Sequence, residues 1–293
     1  MPYRGRFAPS PTGPLHAGSL LTAVASFLDA KAQGGSWLLR IEDLDPPRIQ
    51  AGAETSILKT LEAYQLFWDE TPVRQSERLE IYQSYLDILI NTGLAYPCNC
   101  SRSELAARGA HQHYDGYCRK YPVTGNLQTG IRLLAAQSPA FYDQIQGQQP
   151  AQEVGDFIIK RRDGLFAYQL AVVIDDQLQQ INHIMRGKDL LNETPKQLLL
   201  QQALNFTPVE YYAHLPLIYA EDGQKLSKQT LAEAIPTSED RVREKLFKTL
   251  CLLGQNPPKE LIYNEIPEIY TWAIEHWSPN KLPRDLRLDH NNH

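Results

Sequence analysis

Tyr3-Arg-Gly-Arg-Phe-Ala-Pro-Ser-Pro-Thr-Gly-Pro-Leu-His16-Ala-Gly18-Ser19 is the segment on which the fold turns. Tyr3 to Ala8 reads as a short extended stretch, and Pro9, Pro11, Gly13 and Pro14 then break any regular structure. After Gly18 the apolar residues Leu20, Ala23, Val24, Phe27 and Leu28 recur at helical spacing until Gly34-Gly35 ends the run. Trp37 to Ile41 is a second apolar strand. It closes on the acidic cluster Glu42, Asp43 and Asp45, and Pro46-Pro47 stops it. Helices are expected over Ala51–Tyr64 and Glu77–Asn91. Strand–helix–strand–helix opens a parallel α/β sheet, whose ligands sit beyond the carboxyl ends of the strands. The Pro9–Ser19 loop and the Glu42–Asp45 cluster therefore share one rim, and a site belongs there.

The composition of the 293 residues is that of a globular chain: 42% hydrophobic, 22% charged, with four cysteines. A net charge of -5 excludes a generic basic nucleic-acid coat while leaving room for a local basic face. No run approaches the ~18 apolar residues of a membrane span; the strand-like run Leu170–Ile174 stops at Asp175. Met1-Pro-Tyr-Arg-Gly-Arg6 has no apolar core for a signal peptide, so a cytoplasmic protein without membrane partners is expected, and a monomer. In that compartment cysteines serve as thiols or metal ligands.

Residues 1–95 and 181–229 read as two halves of one Rossmann-like catalytic domain. Residues 96–180 read as an insertion carrying a cysteine knob and a hairpin, and 230–293 as a short helical domain. The hairpin is expected from Asp156–Arg161, a turn at Arg162-Asp163-Gly164, and Leu165–Asp175. Asn182–Arg186 reads as a strand, Glu193–Leu204 as a helix and Ala213–Tyr219 as a strand.

The first loop places an imidazole, His16, and small residues at the mouth of a helix, where free N–H groups and the helix dipole favour an anion. Gly18 permits close approach of a nucleotide. The bland alternative is a proline-stiffened turn with Ser19 as the helix cap. The loop is neither a Walker loop nor a dinucleotide fingerprint. Lys225-Leu-Ser-Lys228 is the second candidate, two ammonium groups able to reach a polyphosphate. Taken alone, such a pair is usually an exposed basic turn.

Together the two segments resemble the paired signatures of class I aminoacyl-tRNA synthetases. Arg6-Phe-Ala-Pro-Ser-Pro-Thr-Gly13, Arg40-Ile-Glu-Asp-Leu-Asp45 with Arg48, and Lys225-Leu-Ser-Lys228 are similar to those of the glutamyl-tRNA synthetases. Ser19 stands where the class motif ends in a second His, and Gln229 where a basic or hydroxyl residue usually closes the lysine motif. Only 64 residues follow the lysine loop, fewer than an anticodon-binding region needs. The chain thus resembles the short paralogues, the glutamyl-Q tRNA(Asp) synthetases. The resemblance implies glutamate activation by ATP with Mg2+, then esterification of the queuosine in the anticodon of tRNA-Asp. The rivals are a glutamyl-tRNA synthetase lacking its anticodon domain and a catalytically silent RNA-binding module.

The same resemblance implies site roles. L-Glutamate would be met by Arg6, Phe7, Ala8, Pro9, Ser10, Glu42, Tyr168 and Arg186, and ATP by His16, Gly18 and Lys228; His16, Lys225 and Lys228 would act in catalysis. The chemistry agrees: guanidinium groups for two carboxylates, an acid for the ammonium. For Arg186 alone, an ion pair with Asp189 is the simpler reading.

Cys98, Cys100 and Cys118 lie within 21 residues, which suggests structural Zn2+. The fourth ligand could be His111, His113 or Tyr114. Ordinary zinc chemistry favours a histidine, whereas the subfamily pattern, Cys-x-Cys then Tyr-x-x-x-Cys, points to Tyr114. Cys251, in the apolar run Leu250–Leu253, is expected in the core. Arg102, Arg108, Arg119, Lys120 and Lys160-Arg161-Arg162 are the densest basic groups; they could grip RNA phosphates or form a solvated face.

Overall fold

The computed structural model describes residues 1–110, 113–124, 128–219 and 235–287. The chain opens with β1 (Arg4–Phe7), α1 (Ala17–Ala32), β2 (Ser36–Ile41), α2 (Ala53–Ala63), β3 (Val73–Arg74) and α3 (Leu79–Asn91). A knob follows: β4 (Ala95–Cys98), α4 (Arg102–Ala107), α5 (Tyr117–Lys120) and β5 (Gly130–Leu133). Then come β6 (Phe141–Asp143), β7 (Gly147–Gln149), β8 (Phe157–Lys160), α6 (Tyr168–Leu178), β9 (His183–Gly187), α7 (Thr194–Ala203), β10 (Tyr211–Leu215) and β11 (Ile218–Tyr219). The described chain ends with α8 (Glu239–Leu252), α9 (Ile266–Glu275) and β12 (Leu286–Arg287).

Seven strands form one sheet in the order β3-β2-β1-β9-β10-β6-β7. Every neighbour pair in it is parallel except β6–β7. The chain builds outward from β1 through β2 to β3, then returns to place β9 on the other side of β1. That reversal is a topological switch point, and it leaves a crevice beyond the carboxyl ends of β1 and β9. Helices cover both faces, so β2 is buried continuously from Trp37 to Ile41 rather than in alternation. Helix α1 is buried over most of its circumference, with Leu20, Leu21, Val24, Phe27 and Leu28 in the main core. Helices α8 and α9 pack on its far side through Leu246, Leu250, Ile269 and Tyr270. Asp29 of α1 fastens that arrangement by accepting from Tyr3 Oη at 2.8 Å and Trp277 Nε1 at 2.9 Å.

Three expectations need correction. The second arm of the hairpin is a helix: after β8 and the turn at residues 161–164 only an isolated bridge, Lys160–Phe166, continues the pairing, and α6 begins at Tyr168. The β-branched run Val172-Val173-Ile174 mimics a strand. The segment is buried on all sides against α3 and α7, and a fully buried helix shows no amphipathic period. Asp175 and Asp176 do not end it, because both carboxylates find buried donors. Cys251 is exposed, since α8 turns Leu246 and Leu250 inward and the cysteine outward. The expected strand Ala213–Tyr219 is broken at Pro216 into β10 and β11, and β11 pairs with β12. No helix among the described residues is long and apolar enough to cross a membrane.

Candidate active site and cysteine centre

A cavity of about 660 Å3 opens at the switch point. Arg6, Phe7, Ala8, Pro9 and Ser10 line it from the end of β1, and His16 and Gly18 from the start of α1. Glu42 enters from the end of β2, Tyr168 from the first turn of α6, and Arg186 from β9. The structure thus brings every described residue of the expected glutamate and ATP sites to one hollow. Tyr168 arrives on a helix rather than on the expected strand. Lys225 and Lys228 lie outside the described residues.

Two backbone bonds join the loops, Glu42 N–H to Pro9 O at 3.0 Å and Gln50 N–H to Pro11 O at 3.0 Å. The cap of α1 is His16, not Ser19: its Nδ1 accepts from the Ser19 backbone N–H at 3.3 Å. An accepting Nδ1 puts the proton of the neutral ring on Nε2, the nitrogen suited to donate to a phosphate oxygen. A Cβ on Gly18 would sit 3.2 Å from His16 Cε1, so the glycine also makes room for the imidazole.

The cations are held in two different ways. Arg6 Nε lies 3.1 Å and Arg40 Nη1 2.8 Å from the same oxygen, Asp176 Oδ1, and Arg40 Nη2 lies 3.4 Å from Glu42. Burial alone would raise the Asp176 carboxyl, but the two guanidinium groups overcome it and hold it below the usual range. Glu42 is pushed up by burial, with Arg40 and Arg6 pulling against that. Arg186, only 4% exposed, instead donates to neutral acceptors: His214 Nε2 at 2.9 Å, Thr194 Oγ1 at 2.9 Å, Gln197 Oε1 at 2.8 Å and Tyr168 Oη at 3.3 Å. A buried cation wrapped in neutral dipoles keeps its field for an incoming anion.

Asp176, His214, Thr194 and Gln197 escaped the sequence reading. An adjacent pair of aspartates at the end of an apolar run was the one visible signal. Asp175 proves equally engaged, accepting from Arg78 Nε at 2.7 Å, Tyr82 Oη at 2.7 Å and Gln75 Nε2 at 2.8 Å.

In the knob the Sγ atoms of Cys98, Cys100 and Cys118 lie within 4.8 Å of one another, a group that could hold a metal ion. Tyr114 Oη lies 3.6 Å from Cys98 Sγ and 3.7 Å from Cys100 Sγ, and it accepts from the Cys118 backbone N–H at 2.7 Å. A tetrahedral ion with bonds of ~2.3 Å to sulfur and ~2.0 Å to oxygen spaces its ligands by roughly 3.5–3.8 Å, so these residues fit one. His113 is exposed, and His111 lies outside the described residues. Much of the expected basic face is spent internally: Arg108 pairs with Asp115, Arg119 with Asp156, and Arg161 with Asp45 and Asp163. Arg102 and Lys120 are exposed. Arg162 donates to the Asn99 carbonyl, so one turn ties the knob to Asp45 on the cavity rim.

Residues 3–278 match the family described as tRNA synthetases class I (E and Q), catalytic domain. The chain is 48% identical to the glutamyl-Q tRNA(Asp) synthetase of Dechloromonas aromatica over 97% of its own length and 96% of that protein's. It is 50% identical to the one of Thiobacillus denitrificans over 95% and 94%. Among solved structures it is similar to a glutamate tRNA ligase from Elizabethkingia meningosepticum in complex with its amino acid. There the TM-score is 0.83 and the identity 26%, over 100% of this chain and 68% of that one. The chain belongs to the glutamyl-Q tRNA(Asp) synthetases, within the class I synthetases of the E and Q type.

Proposed function

We propose that this protein activates L-glutamate with ATP as glutamyl-adenylate and transfers the glutamyl group to queuosine in the anticodon of tRNA-Asp. The observation that carries the chemistry is the pairing of Arg6 and Arg186, two buried guanidinium groups, with Glu42 in one cavity. In this reading the guanidinium groups take the two carboxylates of glutamate in charge-assisted hydrogen bonds, and Glu42 takes the ammonium. Tyr168 adds a hydroxyl beside Arg186.

In the first step a glutamate carboxylate oxygen attacks the α-phosphorus of ATP and pyrophosphate leaves. The carboxylate is already ionised at neutral pH, so no general base is needed, and catalysis reduces to in-line positioning and stabilisation of negative charge. His16 Nε2–H donates to the phosphate oxygens, Gly18 lets the nucleotide approach, and Lys225 with Lys228 neutralises the leaving pyrophosphate. Mg2+ carried on ATP would offset charge on its phosphates. In the second step a hydroxyl of the queuosine cyclopentenediol attacks the adenylate carbonyl, an ester forms and AMP leaves. Cys98, Cys100, Cys118 and Tyr114 would hold a structural Zn2+ that fixes the knob without taking part in either step. A cytoplasmic monomer fits these substrates.

The test is to supply labelled glutamate, ATP and tRNA from cells with and without queuosine. Label is expected only on queuosine-bearing tRNA, and it is expected to survive removal of the 3′-terminal adenosine. Label lost with that adenosine would make the protein a glutamyl-tRNA synthetase of the ordinary kind, and absence of both adenylate and labelled RNA would make it a silent binding module.

A further inference from the structure

Behind Arg186 lies a buried pair that neither reaction step uses. Asp143 ends β6 and His214 lies in β10, and both side chains are sealed from solvent. The parallel register sets His214 beside Arg186 across β9 and β10, and Asp143 beside Tyr212 across β6 and β10. Arg186 Nε lies 2.9 Å from His214 Nε2, and His214 Nδ1 lies 2.5 Å from Asp143 Oδ2.

The protons on this chain are dictated by chemistry. A guanidinium can only donate, so His214 Nε2 must accept, and the ring proton sits on Nδ1 facing Asp143. Asp143 is itself locked, because Oδ1 accepts the backbone N–H groups of Ile145 at 3.0 Å, Gln146 at 2.8 Å and His214 at 3.2 Å. Burial, with the nearby charge of Arg186 against the pull of Asp143, pushes the imidazole down to about 4, so it is neutral at working pH. Were the ring proton on Nε2, two N–H groups would face each other and the guanidinium would have to turn away.

We propose that Asp143 is a positioning residue: it fixes the tautomer of His214, and His214 in turn aims Arg186 at a carboxylate of glutamate. This rests on the reading of Arg186 as a glutamate contact. It adds a control on amino-acid affinity set by a residue 43 positions away in sequence that never touches the substrate.

Asp143→Asn is the decisive variant. The amide oxygen can keep serving the three backbone N–H groups, which leaves the amide NH2 facing Nδ1. Nδ1 must then accept, and the proton moves to Nε2. In glutamate-dependent pyrophosphate exchange this variant should raise the KM for glutamate by about tenfold to a hundredfold, with kcat and the KM for ATP changed far less. Nitrogen-15 spectra should place the His214 proton on Nδ1 in the natural protein and on Nε2 in the variant. His214→Gln offers an oxygen to Arg186 without needing a tautomer, so adding Asp143→Asn in that background should cost less than about threefold.

A folded Asp143→Asn protein with unchanged glutamate KM would overturn the proposal. So would an equal loss in the His214→Gln background, which would mark a merely structural role, or a natural protein carrying the ring proton on Nε2. Arg186→Gln separates the two levels. If it leaves the glutamate KM unchanged, the reading of Arg186 itself fails and takes this inference with it. If Arg186→Gln raises the KM and Asp143→Asn does not, only the positioning role fails.

Discussion

Arg40 and Asp176, 136 residues apart in sequence, meet in a 2.8 Å ion pair that leaves the arginine 0% and the aspartate 5% exposed. It joins the end of β2 to α6, and Arg6 shares the same carboxylate oxygen. A buried pair of this kind gains little over apolar packing, but breaking it by removing one partner strands the other charge.

Asp176→Asn is therefore expected to destabilise the protein by about 3–5 kcal/mol at neutral pH, on the order of 10 °C in Tm. The pH dependence has a definite sign. A carboxyl depressed in the folded state contributes fully above its unfolded value, near ~3.9, and loses that contribution as pH falls through the folded value. The Tm gap between the natural and variant proteins should narrow below about pH 4. Thermal melts at pH 7 and in acid measure both, and equal Tm values at pH 7 would remove the pair from the stability account.

Glu42 shifts in the opposite direction, raised by burial against the pull of Arg40 and Arg6. As pH falls through that raised value the carboxylate is neutralised, and with it would go the proposed attraction for the glutamate ammonium. The kcat/KM for glutamate in pyrophosphate exchange should then fall on the acid side. Glu42→Gln should give a low, flatter profile. A variant with unchanged kcat/KM would separate this carboxylate from amino-acid binding.

Lys228→Ala should leave the circular dichroism and Tm unchanged while cutting glutamyl-adenylate formation by roughly two to three orders of magnitude. Near-normal pyrophosphate exchange would remove the lysine loop from the mechanism.

Metal analysis of the purified protein should find about one zinc per chain. Stripping it should lower the Tm, because the knob has only a three-stranded sheet and short helices to hold it. Tyr114→Phe should weaken zinc retention against a competing chelator, whereas His113→Ala should not. The reverse pattern would hand the fourth position to the histidine.

The parallel sheet and the rim that carries its cavity were legible because local rules and the global fold agree there. Prolines and glycines mark the loop after β1, helical spacing marks α1, and an acidic cluster marks the end of β2. Helix α6 was not legible, since unbroken burial from Leu170 to Asp176 erases the period that separates a helix from a strand. The supports of Arg186 were hidden for another reason: Asp143 and His214 are brought together by strand order, which no local spacing encodes. His16 shows a partial reading, a residue placed correctly at the cavity whose second task, capping α1, only the backbone geometry exposes.

The most direct measurement is a crystal structure with L-glutamate and a non-hydrolysable ATP analogue bound. The expected result is one glutamate at the switch point, its carboxylates on Arg6 and Arg186 and its ammonium on Glu42, with the nucleotide phosphates beside His16. Glutamate seated elsewhere, or a cavity that stays empty at saturating concentrations, would contradict the account.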